Sequence, residues 1–473
     1  MKKRTFTTLL SLSLITSCSS NNPEFSNVSV HDPSVIKVDD TYYVFGSHLA
    51  SAKSKDLISW TQLSSGVADD NVLIPNVTEE LRDTLSWAQS DTLWAPDVIQ
   101  LPDGNFYMYY NACRGDSPLS AMGIAVSNKI EGPYKDKGII LKSGMAGIGN
   151  DGKIYDSTKK PNVVDPDVFF DKNGKLWMVY GSYSGGIFIL ELDSNTGFPL
   201  PDQGYGKKLL GGNHARIEGP YMLYSPETDY YYLFLSYGGL DANGGYNIRV
   251  ARSKNPDGPF EDSEGQTMID AQGTPGKLFD DPAYSPYGVK LMGSFQFANT
   301  GEETGASGTG YVSPGHNSAY YDANSGQYYL LFHTRFPGRG EEHEVRVHQM
   351  FMNKQGWPVV APHRYSGEKI GKYTAKEISG GYAFINDGKD ITADIAGSEP
   401  IEFTVDGKIT GAVTGTWKLT GDHDAELTID GVVYSGVFLR EWNEAAGSKV
   451  MTFTAVSAEG VSLWGSHEAA VNK

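Results

Sequence analysis

Five times along this chain a short polar or acidic opening is followed by an apolar pair, a turn and an aromatic-rich strand. Recurrence of that kind marks a repeat architecture and narrows the possible folds sharply. The openings are His31-Asp32-Pro33-Ser34-Val35-Ile36, Ala95-Pro96-Asp97-Val98-Ile99, Asp165-Pro166-Asp167-Val168-Phe169, Glu218-Gly219-Pro220-Tyr221-Met222 and His316-Asn317-Ser318-Ala319-Tyr320. They lead into Tyr42 to Ser47, Phe106 to Tyr110, Leu176 to Ser182, Tyr230 to Phe234 and Tyr328 to Phe332, with hairpin signals such as Asp103-Gly104 and Asn173-Gly174 between the halves. A later element recurs as well: Ala125-Val126-Ser127-Asn128 runs to Glu131-Gly132-Pro133-Tyr134, and Ala251-Arg252-Ser253-Lys254 to Asp257-Gly258-Pro259-Phe260. Each unit therefore reads as about four strands. Five such units predict an all-β, five-bladed β-propeller over residues 27–375. The 55 Gly, 23 Pro and 12% aromatic residues suit many short strands joined by tight turns, and no helical periodicity of comparable length competes.

From about Gly380 the pattern changes. Glu402 to Val405, Gly415 to Leu419, Glu426 to Ile429, Tyr434 to Trp442, Val450 to Ala455 and Val461 to Trp464 read as consecutive hairpins. They predict a small C-terminal β-barrel or sandwich over residues 380–473, within the usual size of a domain. The join lies near Glu368 to Gly381. The Gly-rich stretches Gly144 to Thr158 and Asn299 to Tyr311 read as long propeller loops, of the kind that shape a cleft.

Radial repetition has a chemical consequence. Equivalent positions at the start of each innermost strand converge near the ring axis, and the repeat places Asp32, Ala95, Asp165, Glu218 and His316 there. Three carboxyls and an imidazole are costly to gather out of water. Such a cluster is where perturbed pKa values and catalysis are expected. Hydrolysis of a glycosidic bond needs one carboxylic acid for the leaving oxygen and a second carboxylate at the anomeric side, which this set supplies with one to spare. Asp167 aligns with Asp97 and Ser34 and is expected to cap or pair within its blade. Glu131, also followed by Gly-Pro-Tyr, falls in an outer-strand slot and reads as a turn residue.

At these residues the chain resembles the family 43 glycoside hydrolases, five-bladed propeller enzymes of arabinan and xylan breakdown. The matching stretches are His31-Asp32-Pro33-Ser34, Trp94-Ala95-Pro96-Asp97, Asn162 to Asp167 with Gly181 to Gly186, Arg216 to Tyr221, and Ser313 to Ser318. The likeness runs from about His31 to Tyr373. It implies Asp32 as general base, Glu218 as general acid, and Asp165 as the residue that tunes and orients the acid, in an inverting reaction. It also implies one axial Ca2+ at His316, and sugar contacts at Asp32, Trp94, Gly115, Asn162, Asp165, Ser182, Tyr183 and Ser184. Arg216 is a further residue within reach of the cleft, and His333 reads as structural. The Arg-Ile-Glu-Gly-Pro-Tyr and Pro-Gly-His-Asn-Ser stretches look most like endo-α-1,5-L-arabinanases, as does the small C-terminal domain. An exo-acting α-L-arabinofuranosidase or β-xylosidase stays open as the alternative, and so does a surface lipoprotein that binds glycan without cutting it.

Residues 1–17 have the basic start and short apolar run of an export signal. The stretch ending at Cys18 resembles a bacterial lipobox, which implies cleavage before Cys18, acylation of its thiol, and attachment to the outer membrane by lipid alone. Cys113 is then left without a disulfide partner. A formal net charge of −18 argues against nucleic acid as a partner and leaves neutral ligands such as arabinan and its oligosaccharides. A monomer is expected.

Overall fold

The computed structural model describes residues 22–298 and 309–468. The signal segment, Cys18 and most of the Asn299 to Tyr311 loop lie outside the described residues.

Five antiparallel sheets follow one another along the chain. The first blade holds Ser34–Val38, Thr41–Gly46, Ala50–Ser54 and Trp60–Ser64, and the second Asp97–Gln100, Phe106–Cys113, Ser120–Ser127 and Lys135–Ser143. The third holds Asp167–Phe170, Leu176–Tyr180, Ile187–Leu192 and Lys207–Leu210, and the fourth Ile217–Ser225, Tyr230–Tyr237, Asn247–Ser253 and Val289–Met292. The fifth is built on Gly310–Asp322, Gln327–Arg335, His343–Met352 and Pro358–Val360. The first long strand of every blade touches its counterpart in the next, and that of the fifth touches both the fourth and the first, so the ring closes.

Blades stack face to face, which explains why their second strands read as unbroken apolar runs and do not alternate: Phe106–Cys113 is buried at every position. The core is accordingly divided into layers between blades. One layer joins Val35, Tyr42 and Val44 of the first blade to Tyr329, Leu331 and Val347 of the fifth, with Val28 and Val30 from the entering segment. The Val345 amide donates to the Val28 carbonyl at 3.0 Å, so the segment before the first blade fastens the seam.

Polar bridges also run from blade to blade. Ser34 donates its hydroxyl to Asp97, whose second oxygen accepts the Val168 amide at 2.9 Å, and Asp167 accepts the Met222 amide at 2.7 Å. The repeat-equivalent positions expected to pair within a blade therefore pair between blades. The reason is radial: the residue two places beyond each axial position faces the neighbouring inner strand. Glu131 sits at the periphery, bonded to Lys53 at 2.7 Å. Two short helices, Val77–Glu80 and Arg82–Ala88, join the first two blades and bury Val77, Leu81, Leu85 and Ala88 against them. At four and seven residues they leave too little periodicity to be read from sequence.

Beyond the propeller, a capping box at Thr374 and Glu377 opens the short helix Ala375–Ile378. An eight-stranded barrel follows, closed by pairing of Gly380–Asn386 with Ser462–His467. The barrel is not a free appendage. Ala383, Ile385, Val437, Leu439, Val456 and Trp464 share one apolar layer with Leu330, Phe332 and Val359 of the propeller. Buried Lys290 donates to the Asp387 and Asp390 carbonyls at 2.7 and 2.9 Å, and buried Arg249 donates to the Lys389 carbonyl.

Candidate active site

Asp32, Asp165 and His316 share a backbone feature as well as an axial position. Their φ angles are 56°, 54° and 42°, in the left-handed region that L-residues seldom occupy, and Gly219 beside Glu218 is at 56°. Side chains held in such conformations cluster where surrounding structure over-determines them, typically at functional sites. Asp32 and Asp165 stand in the turn just before their strands, whereas Glu218 and His316 lie within theirs, each at an irregularity of the strand pairing. Gly219 has a second reason to be glycine: a Cβ there would stand 3.1 Å from the His316 ring.

Asp32 is buried and fully engaged. Its Oδ2 accepts the Ser47 hydroxyl at 2.5 Å and lies 2.8 Å from His31 Nδ1, while its Oδ1 is 3.1 Å from His316 Nδ1. Its amide donates to His333 Nδ1 at 3.1 Å, and the His333 ring stacks on His31 with centroids 3.8 Å apart. Burial alone would raise the Asp32 pKa, but the charges and hydrogen bonds of His31 and His316 outweigh it and hold the carboxyl well below its ordinary value. His333 is lowered too, and so kept neutral: burial and the His31 charge push it well below the ordinary histidine value, which suits its role as an acceptor.

The other two carboxyls form a pair. Ser182 donates to Glu218 Oε2 at 2.7 Å and the Tyr246 hydroxyl to Oε1 at 2.9 Å. Asp165 accepts the Gly219 amide at 3.3 Å. Burial, reinforced by the Asp32 charge, lifts Glu218 above the usual carboxylate range against His316, Ser182 and Tyr246. Burial, with the charges of Glu218 and Asp32, lifts Asp165 to about 8 against the pull of His316. His316 responds to all three acids: burial would lower it, but chiefly Asp32 and Asp165 raise it to about 9. Its amide is bonded at 2.7 Å to Ser236, the strand partner of Glu218, so the fourth and fifth blades are tied at the axis.

Of the remaining sequence-predicted residues Ser182 bonds Glu218 directly, while the hollow at Trp94 is lined by none of the axial acids. Ala95 is buried, its carbonyl bonded to the Asn111 amide at 2.5 Å. Trp94 is half-buried and lines a hollow of about 750 Å³ with Arg82, Gln89 and Arg114, and Gly115 faces its indole. Asn162 is buried, its amide oxygen bonded to Ser120 at 2.5 Å. Tyr183 donates to the Gly238 carbonyl at 3.1 Å, and Ser184 accepts the His214 amide at 2.9 Å. Arg216 is paired with Asp281. His31, Ser47 and Tyr246 were not picked out from the sequence. His31 stands next to Asp32 in the repeat and was within reach of that reasoning; Ser47 and Tyr246 carry no local pattern.

His31, Asp32 and His333 form a group that could hold a metal ion, with ligand atoms within 4.8 Å of one another. Two imidazoles and one carboxylate suit a borderline transition metal better than a hard cation. An ion there would also occupy the carboxylate and the His333 nitrogen that Asp32 already uses.

The chain is also similar to known proteins along most of its length. Residues 21–283 match the model of glycosyl hydrolases family 43, and residues 362–465 that of a C-terminal lipocalin-like domain. Extracellular endo-alpha-(1->5)-L-arabinanase 2 of Bacillus subtilis is 63% identical over 97% of both chains. The corresponding arabinanase of Thermotoga petrophila is 54% identical over 94% of both, and its crystal structure superposes with a TM-score of 0.90. A family 43 glycoside hydrolase from Bacillus licheniformis, 68% identical, superposes at 0.92 over 95% of this chain and all of the other.

Proposed function

Because the chain belongs to family 43 of the glycosyl hydrolases, we propose that it is an inverting endo-α-1,5-L-arabinanase that cuts internal bonds of arabinan, the pectin side chain. The observation that carries the mechanism is the opposite perturbation of neighbouring carboxyls: Asp32 is held down while Glu218 and Asp165 are held up. Acid and base assignments follow from environments that push pKa values apart.

Asp32, ionised and oriented by His31, Ser47 and His316, takes a proton from water as that water attacks the anomeric carbon. Glu218 retains its proton because it is buried and faces the Asp32 charge, and delivers it to the departing sugar oxygen. Asp165 tunes that proton and, through the Gly219 amide, orients the turn carrying Glu218. Inversion requires about 6.5–9.5 Å between base and acid to admit the water. Trp94, Gly115, Asn162, Ser182, Tyr183 and Ser184 are the sugar-site residues in this reading. The catalytic unit is the propeller of residues 27–375, with 380–473 as its accessory barrel.

Calcium at His316 belongs to the same proposal. The negative charges of three acids converge on His316, an environment that favours a cation, and a bound ion would take the place of the proton on its imidazole. When bound, the ion would supply fixed positive charge beside His316 and Asp32. Export follows from residues 1–17, with Cys18 as the lipid anchor to the outer membrane. The relatives named above are described as extracellular.

The endo assignment is favoured over the exo one by similarity along the whole chain. A Cellvibrio japonicus relative named as an exo-alpha-(1->5)-L-arabinofuranosidase is 27% identical over 70% of this chain. Product analysis on linear arabinan, branched arabinan and xylan tests the choice. A spread of oligosaccharides from linear arabinan is expected; monosaccharide alone would remove the endo assignment, and release from xylan only would remove the substrate.

A further inference from the structure

Phe279 is a bulky aromatic residue at φ 54°, and it is 48% exposed. Left-handed backbone at such a residue is an outlier, and burial cannot account for this one. Its surroundings lead straight to the catalytic acid. The Phe279 ring lies edge-on to Tyr183, with centroids 5.7 Å apart, and Tyr183 follows the Ser182 that is bonded to Glu218. The Arg216 guanidinium lies 5.7 Å from the Phe279 centroid, two residues before Glu218, and is fixed by its ion pair with Asp281.

Two aliphatic side chains extend this surface. Leu278 is 68% exposed. Leu240 is 39% exposed and follows Gly239, where a Cβ would meet Arg216 Nη1 at 2.6 Å. An exposed apolar strip, rigidly backed by Tyr183 and Arg216, thus stands on the flank of Glu218. None of its three side chains carries a polar atom, so what rests on it presents carbon-bound hydrogens, as one face of a sugar ring does.

We infer that Phe279, with Leu278 and Leu240, forms the platform for the sugar unit on the leaving-group side of the scissile bond. The side follows from chemistry, since Glu218 protonates the leaving oxygen and the strip backs onto Tyr183 and Arg216, close in sequence to the Ser182 that bonds Glu218 and to Glu218 itself. This rests on the arabinanase reading and deepens it by assigning the subsite beyond the acid.

Steady-state kinetics on linear arabinan with Phe279→Ala, Phe279→Gly and Phe279→Trp tests the assignment. The Ala and Gly variants are expected to raise KM roughly three- to tenfold with kcat little changed, and the Trp variant to keep KM close to wild type. Glycine adopts positive φ freely, so Phe279→Gly should melt at or above the wild-type temperature while binding more weakly. With end-labelled arabinohexaose, loss of the platform should move cleavage toward the reducing end. An unchanged KM in both small variants, a fall in melting temperature for Phe279→Gly, or cleavage moving the opposite way would each overturn the inference. Wild-type protein inactive on arabinan would instead overturn the functional reading itself.

Discussion

A single methyl group at Gly315 tests how the acid is held. A Cβ built there stands 2.0 Å from Tyr246 Cδ1 and 2.1 Å from Cε1. Carbon atoms in contact sit about 3.5–4.0 Å apart, so the ring must retreat by roughly 1.5–2 Å. Tyr246 is almost wholly buried, and its hydroxyl is 2.9 Å from Glu218 Oε1. A retreat of that size breaks the hydrogen bond, which does not survive much beyond about 3.5 Å. Overpacking costs about 1–3 kcal/mol and loss of a bond to a buried carboxyl about 1–3 kcal/mol, so Gly315→Ala should destabilise by about 2–6 kcal/mol. The initial rate on linear arabinan should fall at least about tenfold, because general acid catalysis depends on placement of the proton donor. Tyr246→Phe is the companion variant. It keeps the ring but removes a donor that favours the Glu218 carboxylate, so it should cost only the about 1–3 kcal/mol of the lost bond while the alkaline limb of the pH–rate profile moves upward. Urea unfolding and reducing-sugar release measure both effects. Gly315→Ala with wild-type stability and rate would refute the claim that the missing side chain of Gly315 leaves Tyr246 the room to reach Glu218.

Four further outcomes follow from the same contacts. Burial and the Glu218 charge lift Asp165 to about 8, so the two carboxyls titrate as a pair and the alkaline limb of kcat/KM reports the pair's second ionisation; Asp165→Asn leaves Glu218 to titrate alone and should move that limb to lower pH, and an unmoved limb would deny Asp165 its tuning role. Asp97→Ala leaves the Ser34 hydroxyl and the Val168 amide without their partner and should cost about 1–3 kcal/mol in denaturant unfolding, and no loss would mean that these bridges between blades do not hold the ring. Chelation with EDTA should lower arabinan hydrolysis and added calcium should restore it, whereas indifference to both would remove calcium from the account. Truncation after residue 379 strips Trp464, Ile385, Val437 and Leu439 from a layer they share with the propeller, so the fragment should aggregate; a soluble, fully active fragment would contradict this.

The ring and its axial residues were readable because repetition is visible at the level of residue type. Asp32, Asp165, Glu218 and His316 open equivalent strands, and aligning those strands was enough to bring the four together. What surrounds them was not readable in the same way. Ser47 reaches Asp32 across a hairpin, and Tyr246 reaches Glu218 from another strand of its own blade, each on a side chain with no recurring neighbour. The bridges from Ser34, Asp97 and Asp167 were assigned to the right class of polar contact but to the wrong partner, because sequence spacing does not reveal which inner strand a side chain faces. The barrel was foreseeable from consecutive hairpins, yet its closure depends on Gly380–Asn386 meeting Ser462–His467, a pairing that no local signal encodes. Phe279 was missed for a simpler reason: its backbone conformation and exposure, which single it out, are properties of the folded chain alone.

In the proposed mechanism a base and an acid from different blades act on opposite sides of one arabinofuranosidic bond. Proton NMR of the earliest hydrolysis products reads this directly through the anomeric signal. Attack by an Asp32-activated water opposite the leaving group predicts the β-anomer first, converting to the equilibrium mixture only later. Initial appearance of the α-anomer would mean retention through a covalent intermediate, and the assignment of Asp32 as a base acting through water would be wrong.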